Sequence, residues 1–213
     1  IVISANIDGR DLRGAVNDIQ HQIQEQVNLP QGYYLQYGGQ FESEASASRT
    51  LAWTSLLALL IITMLLYQEF HSMRQAGLIL LNMPLAMIGG VFILCFTSGE
   101  LNIPAIIGFI SLLGITTRNG MLLISRYNAL REQGIGLMER IRLGSSDRLN
   151  PILMTALTSA LALIPLALRG GQPGNEIQSP LAIVILGGLI SSTVLNVFVV
   201  PVLYYLINRN KEK

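Results

Sequence analysis

Arg118 interrupts an apolar stretch, Ile103 to Ile124, that is otherwise long enough to cross a bilayer. A guanidinium at such depth is costly and marks a working position. Arginine keeps its proton at any ordinary pH, so Arg118 cannot shuttle protons itself. It would serve as a fixed cation for acids located elsewhere. No Asp or Glu lies inside any apolar stretch of the chain, so those acids must come from outside it. Thr116, Thr117 and Asn119 surround Arg118, and Thr155 and Thr158 follow in the next apolar stretch; together they could line a hydrated path. The competing reading is an anchor: Arg118 lies about 6 Å inward of the middle of its stretch, within reach of snorkelling. Arg126 and Arg131 already supply inner-surface anchors, which favours a buried partner for Arg118.

Other polar or soft side chains have simpler roles. Met83 and Met87 stand at i and i+4, and thioethers suit Cu(I) or Ag(I). No His or Cys accompanies them at ligand spacing, so core packing is the stronger reading. Asn82, Pro84, Gly89 and Gly90, and in the last stretch Gly187, Gly188, Ser191, Ser192 and Asn196, are small or polar positions that let helices approach closely or hydrogen-bond. There is no GxxxxGK[ST], GxGxxG or HExxH motif, and neither histidine falls in an apolar stretch. Nucleotide hydrolysis, zinc hydrolysis and intramembrane Ser/His proteolysis all lack their residues. Enzyme chemistry is not expected, and no cofactor is implied.

The elements that must position Arg118 are written in composition. Of 213 residues, 51% are hydrophobic and 13% charged, and mean hydropathy is +0.49. Soluble domains carry about a quarter charged residues, so this is a membrane protein. The apolar stretches run Leu51 to Tyr67, Ala76 to Thr97, Ile103 to Ile124, Pro151 to Leu168 and Pro180 to Ile207. Each approaches the roughly 20 residues of a spanning helix. Basic residues gather near Glu69 to Arg74, between Arg126 and Arg148, and at Arg209, Lys211 and Lys213, which places those segments on the cytoplasmic side. The Ser98 to Asn102 turn, the Arg169 to Gln178 loop and the N-terminal segment should face outward, with Trp53 as an outer interfacial anchor. Residues 126–148 form either an amphipathic connection on the inner membrane surface or a solvated helical hairpin. Cys95 is a single cysteine in an apolar run and forms no internal disulfide.

Ahead of the spans, Ile1, Ile3, Ala5 and Ile7 alternate like a strand. Asp8 or Asp11 could cap a helix with Leu12, Val16, Ile19, Ile23 and Val27 on one face and His21 on the polar side; Tyr33 to Tyr37 reads as a second strand. This β-α-β unit, half of a ferredoxin-like fold, is too small to bury a core alone, and its other half should lie upstream. The expected fold is a membrane all-α bundle of five helices with this small outward appendage. The expected units are residues 1–48 and 49–213, the piece being C-terminal in a longer polypeptide.

TyrGlyGlyGlnPheGluSer at Tyr37 to Ser43, AsnMetPro at Asn82 to Pro84, GlyIleThrThrArgAsnGly at Gly114 to Gly120 and ProIleLeuMetThr at Pro151 to Thr155 resemble resistance-nodulation-division efflux permeases. The resemblance spans the whole chain, and the GlyGlyGlnPheGlu stretch is similar to the heavy-metal branch. It implies the last quarter of such a permease: the end of a periplasmic porter subdomain, then spans eight to twelve. It further implies a proton-driven homotrimer in a bacterial inner membrane, working with a periplasmic adaptor and an outer-membrane channel. Carboxylates on the fourth span, in the remainder of the permease, would pair with the basic residue at the tenth-span position, here Arg118, with Thr117, Asn119 and Thr155 beside it. Hydrophobe exporters look to have Lys there; with Arg, the acids alone would titrate. Asn150 stands where a basic residue is frequent in the family. Heavy-metal cation export is the favoured substrate class and drug or hydrophobe export the second; no nucleic acid is implied. Alternatives are a non-transporting assembly or protein-translocation subunit, or a truncated fragment without its own function.

Overall fold

The computed structural model describes residues 12–27, 30, 32, 34–35, 37, 40–97, 101–170, 172, 174–175 and 177–209. Its elements are α1 (Leu12–Gln26), α2 (Gln40–Phe70), α3 (Met73–Thr97), α4 (Ile103–Glu132), α5 (Leu137–Leu168), α6 (Gln178–Val194), a π-helical turn (Leu195–Val199) and α7 (Val200–Asn208). Five helices are long and apolar enough to cross a membrane, the fifth combining α6, the π turn and α7.

Each helix outruns the apolar stretch that announced it. α2 continues unbroken across residue 48, and α4 and α5 carry their helices through most of residues 126–148, broken only at residues 133–136. The break contains Gly134 with φ +78°, a backbone conformation that favours glycine. α2 and α3 join through His71 and Ser72, with His71 at φ 47° and its N–H bonded to the Tyr67 carbonyl. α4 begins where Asn102 accepts from the Ala105 N–H at 3.0 Å and Pro104 occupies the first turn, where a missing N–H costs nothing.

Among the described residues there is no strand. The expected first strand, Ile1 to Ile7, and the cap at Asp8 or Asp11 lie outside them, as do Tyr33, Gln36, Gly38 and Gly39 of the second. Tyr34, Leu35 and Tyr37 carry no strand pairing. A strand needs a partner edge for its N–H and C=O groups, and none is present among the described residues. In α1 the stripe is only partly covered: Val16 and Ile23 are half-buried while Ile19 is exposed.

α6 lies at the centre, packed on α3, α4 and α5. Half of its most apolar window is buried, 39% for α3 and α4, and 6% for α2 and α5, so the last two are peripheral. Apolar side chains gain little by leaving lipid, so close contact and hydrogen bonds must hold the centre. α3 and α6 cross on glycines. A Cβ on Gly187 would meet the Gly89 carbonyl oxygen at 2.5 Å, one on Gly89 would collide with Gly187 O and Ser191, and one on Gly188 would strike Leu112 of α4. Ser191 Oγ then donates to the Ala86 carbonyl at 2.5 Å across the same crossing.

Gly187→Ala therefore forces two backbones apart and should lower stability by about 1–3 kcal/mol despite alanine's better helix propensity. Gly114, with nothing within 4 Å of its would-be Cβ, should accept Ala at no loss. Thermal unfolding of both variants in detergent separates these outcomes.

Candidate functional site

Thr116 to Gly120 occupy a little more than one turn of α4, so the neighbours of Arg118 fan to different sides. Thr116 and Asn119 face the core at 0% and 3% exposure, whereas Arg118, about 100° round the helix from Asn119, is exposed. Thr117 is half-buried, and its hydroxyl donates to the Leu113 carbonyl at 2.7 Å. Thr155 donates in the same way to the Pro151 carbonyl at 2.7 Å, and Thr158 to Met154 and Thr155 carbonyls at 2.8 and 3.1 Å.

A cavity of about 210 Å³ opens between α4 and α5, lined by Arg118, Asn119, Leu122, Arg148, Pro151, Ile152 and Thr155. Three of the expected residues, Arg118, Asn119 and Thr155, meet there; Thr117 and Thr158 are not among the lining residues. Arg148 is the addition. Its spacing to Pro151, Ile152 and Thr155 is three, four and seven, the signature of one helix face, and that signal was available in the sequence. It stood instead among the inner-side arginines that carry topology.

The cavity is a set of donors without an acid. Arg118 and Arg148 contribute guanidinium groups, and among the described residues none that lines it carries a carboxylate. Arg148 Nε and Asn119 Nδ2 are both buried without a hydrogen-bond partner. A buried donor left unpaired costs about 1–3 kcal/mol, and two guanidinium groups beside one small cavity repel each other. An anionic acceptor, above all a carboxylate able to take two N–H groups from one arginine, would relieve both. The arrangement can thus bind and hold an acid.

The α4–α5 hairpin fixes the spacing of the two arginines. Arg126 pairs with Asp147 at 2.6 Å, Tyr127 Oη and Ser145 Oγ lie 2.6 Å apart, and Gly144 lets the Tyr127 ring lie against α5. Tyr127 is fully buried and packs at a tilt against Tyr204 of α7, with ring centroids 4.7 Å apart and planes at 48°. Pro151 has no N–H for the Asp147 carbonyl, which weakens α5 just where it passes the cavity.

Met83 is 2% exposed in the core, and Met87 packs against Leu94, Ala105, Phe109 and Val184, so both serve as packing. Asn82, Ser192 and Asn196 are all buried and hydrogen-bonded to one another or to Thr116. A second, larger cavity of about 760 Å³ lies near the α2–α3 turn, with Glu69, His71, Arg74, Arg131 and Glu132 on its walls.

Comparison with known proteins gives one direction. Residues 1–208 match the family described as AcrB/AcrD/AcrF. The chain is 41% identical over 212 residues to the cobalt-zinc-cadmium resistance protein CzcA of Cupriavidus metallidurans, covering 100% of this chain and 20% of that protein. It is 42% identical over 214 residues to protein HelA of Legionella pneumophila, with the same coverage of 100% and 20%. The nickel-cobalt-cadmium resistance protein NccA of Alcaligenes xylosoxydans xylosoxydans is 38% identical over 213 residues, again at 100% and 20%. The crystal structure of a heavy metal efflux pump superposes with a TM-score of 0.81 at 36% identity, over 95% of this chain and 20% of that one. The chain thus spans about a fifth of the length of these relatives.

If the hairpin sets the cavity, its packing matters more than its ion pair. Asp147→Asn should change stability by less than about 1 kcal/mol, since both partners are partly exposed. Gly144→Val, driven into the Tyr127 ring, should cost more, about 1–3 kcal/mol. Thermal unfolding of the two variants side by side checks the order.

Proposed function

The chain belongs to the AcrB/AcrD/AcrF family, and from that premise we propose that it is the C-terminal part of a proton-driven efflux permease of a bacterial inner membrane, exporting heavy-metal cations. The observation that carries the coupling half of the proposal is the acid-free cavity in which Arg118, Arg148 and Asn119 converge. The relatives named for cobalt, zinc, cadmium and nickel resistance support the substrate class.

In this reading the missing acids come from the remainder of the permease, on its fourth span. Ionised, they accept from Arg118 and Arg148 and draw the two halves of the membrane domain together. Protonated, each loses its charge and most of its hold on a guanidinium that keeps its own proton. The arginines then repel across the cavity, and α4 and α5 shift. Proton uptake on one side and release on the other would drive the periplasmic porter, which handles the metal. Thr155, close to the weakened turn at Pro151, and Asn119, with its unpaired amide, lie where they can guide the swing of the arginine side chains. Thr117 contributes by holding the α4 backbone through Leu113.

The exposed apolar faces of α2 and α5 are surfaces for lipid and for the rest of the permease. The assembled pump would be a homotrimer joined to a periplasmic adaptor and an outer-membrane channel, with residues 1–48 periplasmic, residues 49–213 forming the membrane domain and the C-terminus cytoplasmic.

The full-length permease, reconstituted in vesicles with an imposed pH gradient, tests this with Zn²⁺ flux. Arg118→Ala and Arg148→Ala should each lower proton-driven flux by about tenfold or more, equivalent to about 1.4 kcal/mol in the barrier, at unchanged trimer yield. Arg118→Lys should retain part of the activity. Parent-like flux in Arg118→Ala would make Arg118 a snorkelling anchor and end the coupling assignment.

A further inference from the structure

A hydrogen-bond chain runs through the core beside the cavity without entering it. Asn82 Nδ2 on α3 donates to Asn196 Oδ1 at 3.1 Å. Asn196 Nδ2 donates to Ser192 Oγ at 3.2 Å and to the Ser192 carbonyl at 2.8 Å. Thr116 Oγ1 on α4 donates to Ser192 Oγ at 3.2 Å. All four side chains are between 0% and 1% exposed. The chain ends two residues before Arg118 and one helical turn from Asn119.

Its other end sits on two irregular turns. Asn196 is the second residue of the π turn, whose wide ring is closed by the Val200 N–H bonding to the Leu195 carbonyl. Pro201 supplies the cause: in a regular α-helix its ring would press on the Val197 carbonyl and leave it without a donor. The widened turn absorbs the misfit, and such bulges recur at working sites. On α3, Pro84 removes a backbone donor two residues after Asn82. The Asn82–Asn196 bond thus couples two points at which neighbouring helices bend easily.

The chain is incomplete at its α3 end, and a further orphan lies one turn beyond its α4 end. Asn82 Oδ1 and Asn119 Nδ2 are buried without partners. A network kept only for stability would be fully satisfied, because each buried orphan is costly in a low-dielectric core. We infer that Asn196 is a positioning residue for the Arg118 cavity: through Ser192 and Thr116 it sets the height and rotation of α4, so that bending at the π turn and at Pro84 reaches Arg118 and Asn119 as one motion. This inference rests on the proton-coupling reading of the cavity, which it deepens.

The test uses the full permease in the same vesicle assay with Zn²⁺, comparing Asn196→Leu, Asn82→Leu, the double variant and Arg118→Ala. Each single variant should lower proton-driven flux by about tenfold, keep the KM for Zn²⁺, and move the midpoint of the pH–rate profile by about half a unit or more. The double variant should be no worse than either single one, because both break the same link. A parent-like pH profile in Asn196→Leu, or losses that multiply in the double variant, overturns the inference. If Asn196→Leu does not assemble, Asn196→Ser decides: its hydroxyl can still bond the Ser192 carbonyl but cannot reach Asn82, so a parent-like profile there overturns the inference too. Loss of flux in Arg118→Ala beside a parent-like Asn196→Leu removes only the positioning role. Parent-like flux in Arg118→Ala removes the coupling site itself, and the positioning role with it.

Discussion

Everything in this membrane domain is arranged around the contact of α3 with α6, where Gly89 lies against Gly187 with no room for a side chain between the backbones. In lipid, apolar residues are not driven together by water, and close backbone approach with a hydroxyl bond, Ser191 to Ala86, takes over that role. Once α3 and α6 touch, α4 must lie in their common groove, because Leu112 packs against Gly188 and Gly108 faces Val184. That register places Thr116 at Ser192 and brings Asn119 and Arg118 to fixed heights. α5 is added from outside, and the cavity is the gap left between it and α4.

The site is built on an imbalance of charge. Two arginines and an unpaired amide gather at one small volume whose described lining includes no acid, an arrangement that would be unfavourable if it were complete. In the proposed permease the acids come from the remainder of the membrane domain; the chain itself spans about a fifth of the length of its relative CzcA. Separating cation from acid between two halves makes the attraction between the halves depend on whether the acids carry protons, which a pair within one helix could not do. The choice of arginine on both helices keeps the positive side constant while the negative side varies.

Much of this was legible in the residues. The five spans follow from apolar length, and Arg118 stands out because nothing else charged lies at its depth. Arg148 did not stand out. Positive charge beside a span is expected for topological reasons, and its place in the cavity depends on α5 beginning at Leu137, well before its apolar part, so that residues 148, 151, 152 and 155 share a helix face. The role of Asn196 was hidden for another reason. As a polar residue in an apolar helix it reads as a packing bond, and only the wide turn ahead of Pro201 shows that the bond ties two bending points. The expected β-α-β unit depends on strand pairing that no single helix can supply, and of it the described residues contain the helix.

α5 is attached in an uneven way. Its N-terminal part is tied to α4 by Arg126 with Asp147 and Tyr127 with Ser145, and its C-terminal end is tied to the segment entering α6 by Asn175 with the Leu166 and Arg169 carbonyls and Ser179 with the Ala167 carbonyl. Between them only Ile152 is fully covered, and Pro151 has already loosened the backbone. The helix is therefore hydrogen-bonded to its neighbours mainly near its two ends, and sideways deflection is easiest along its middle, beside the Arg118 gap. A small bow there would widen or narrow the gap while leaving both attachment points where they are, so the gap can breathe without the loops at either face of the membrane having to move.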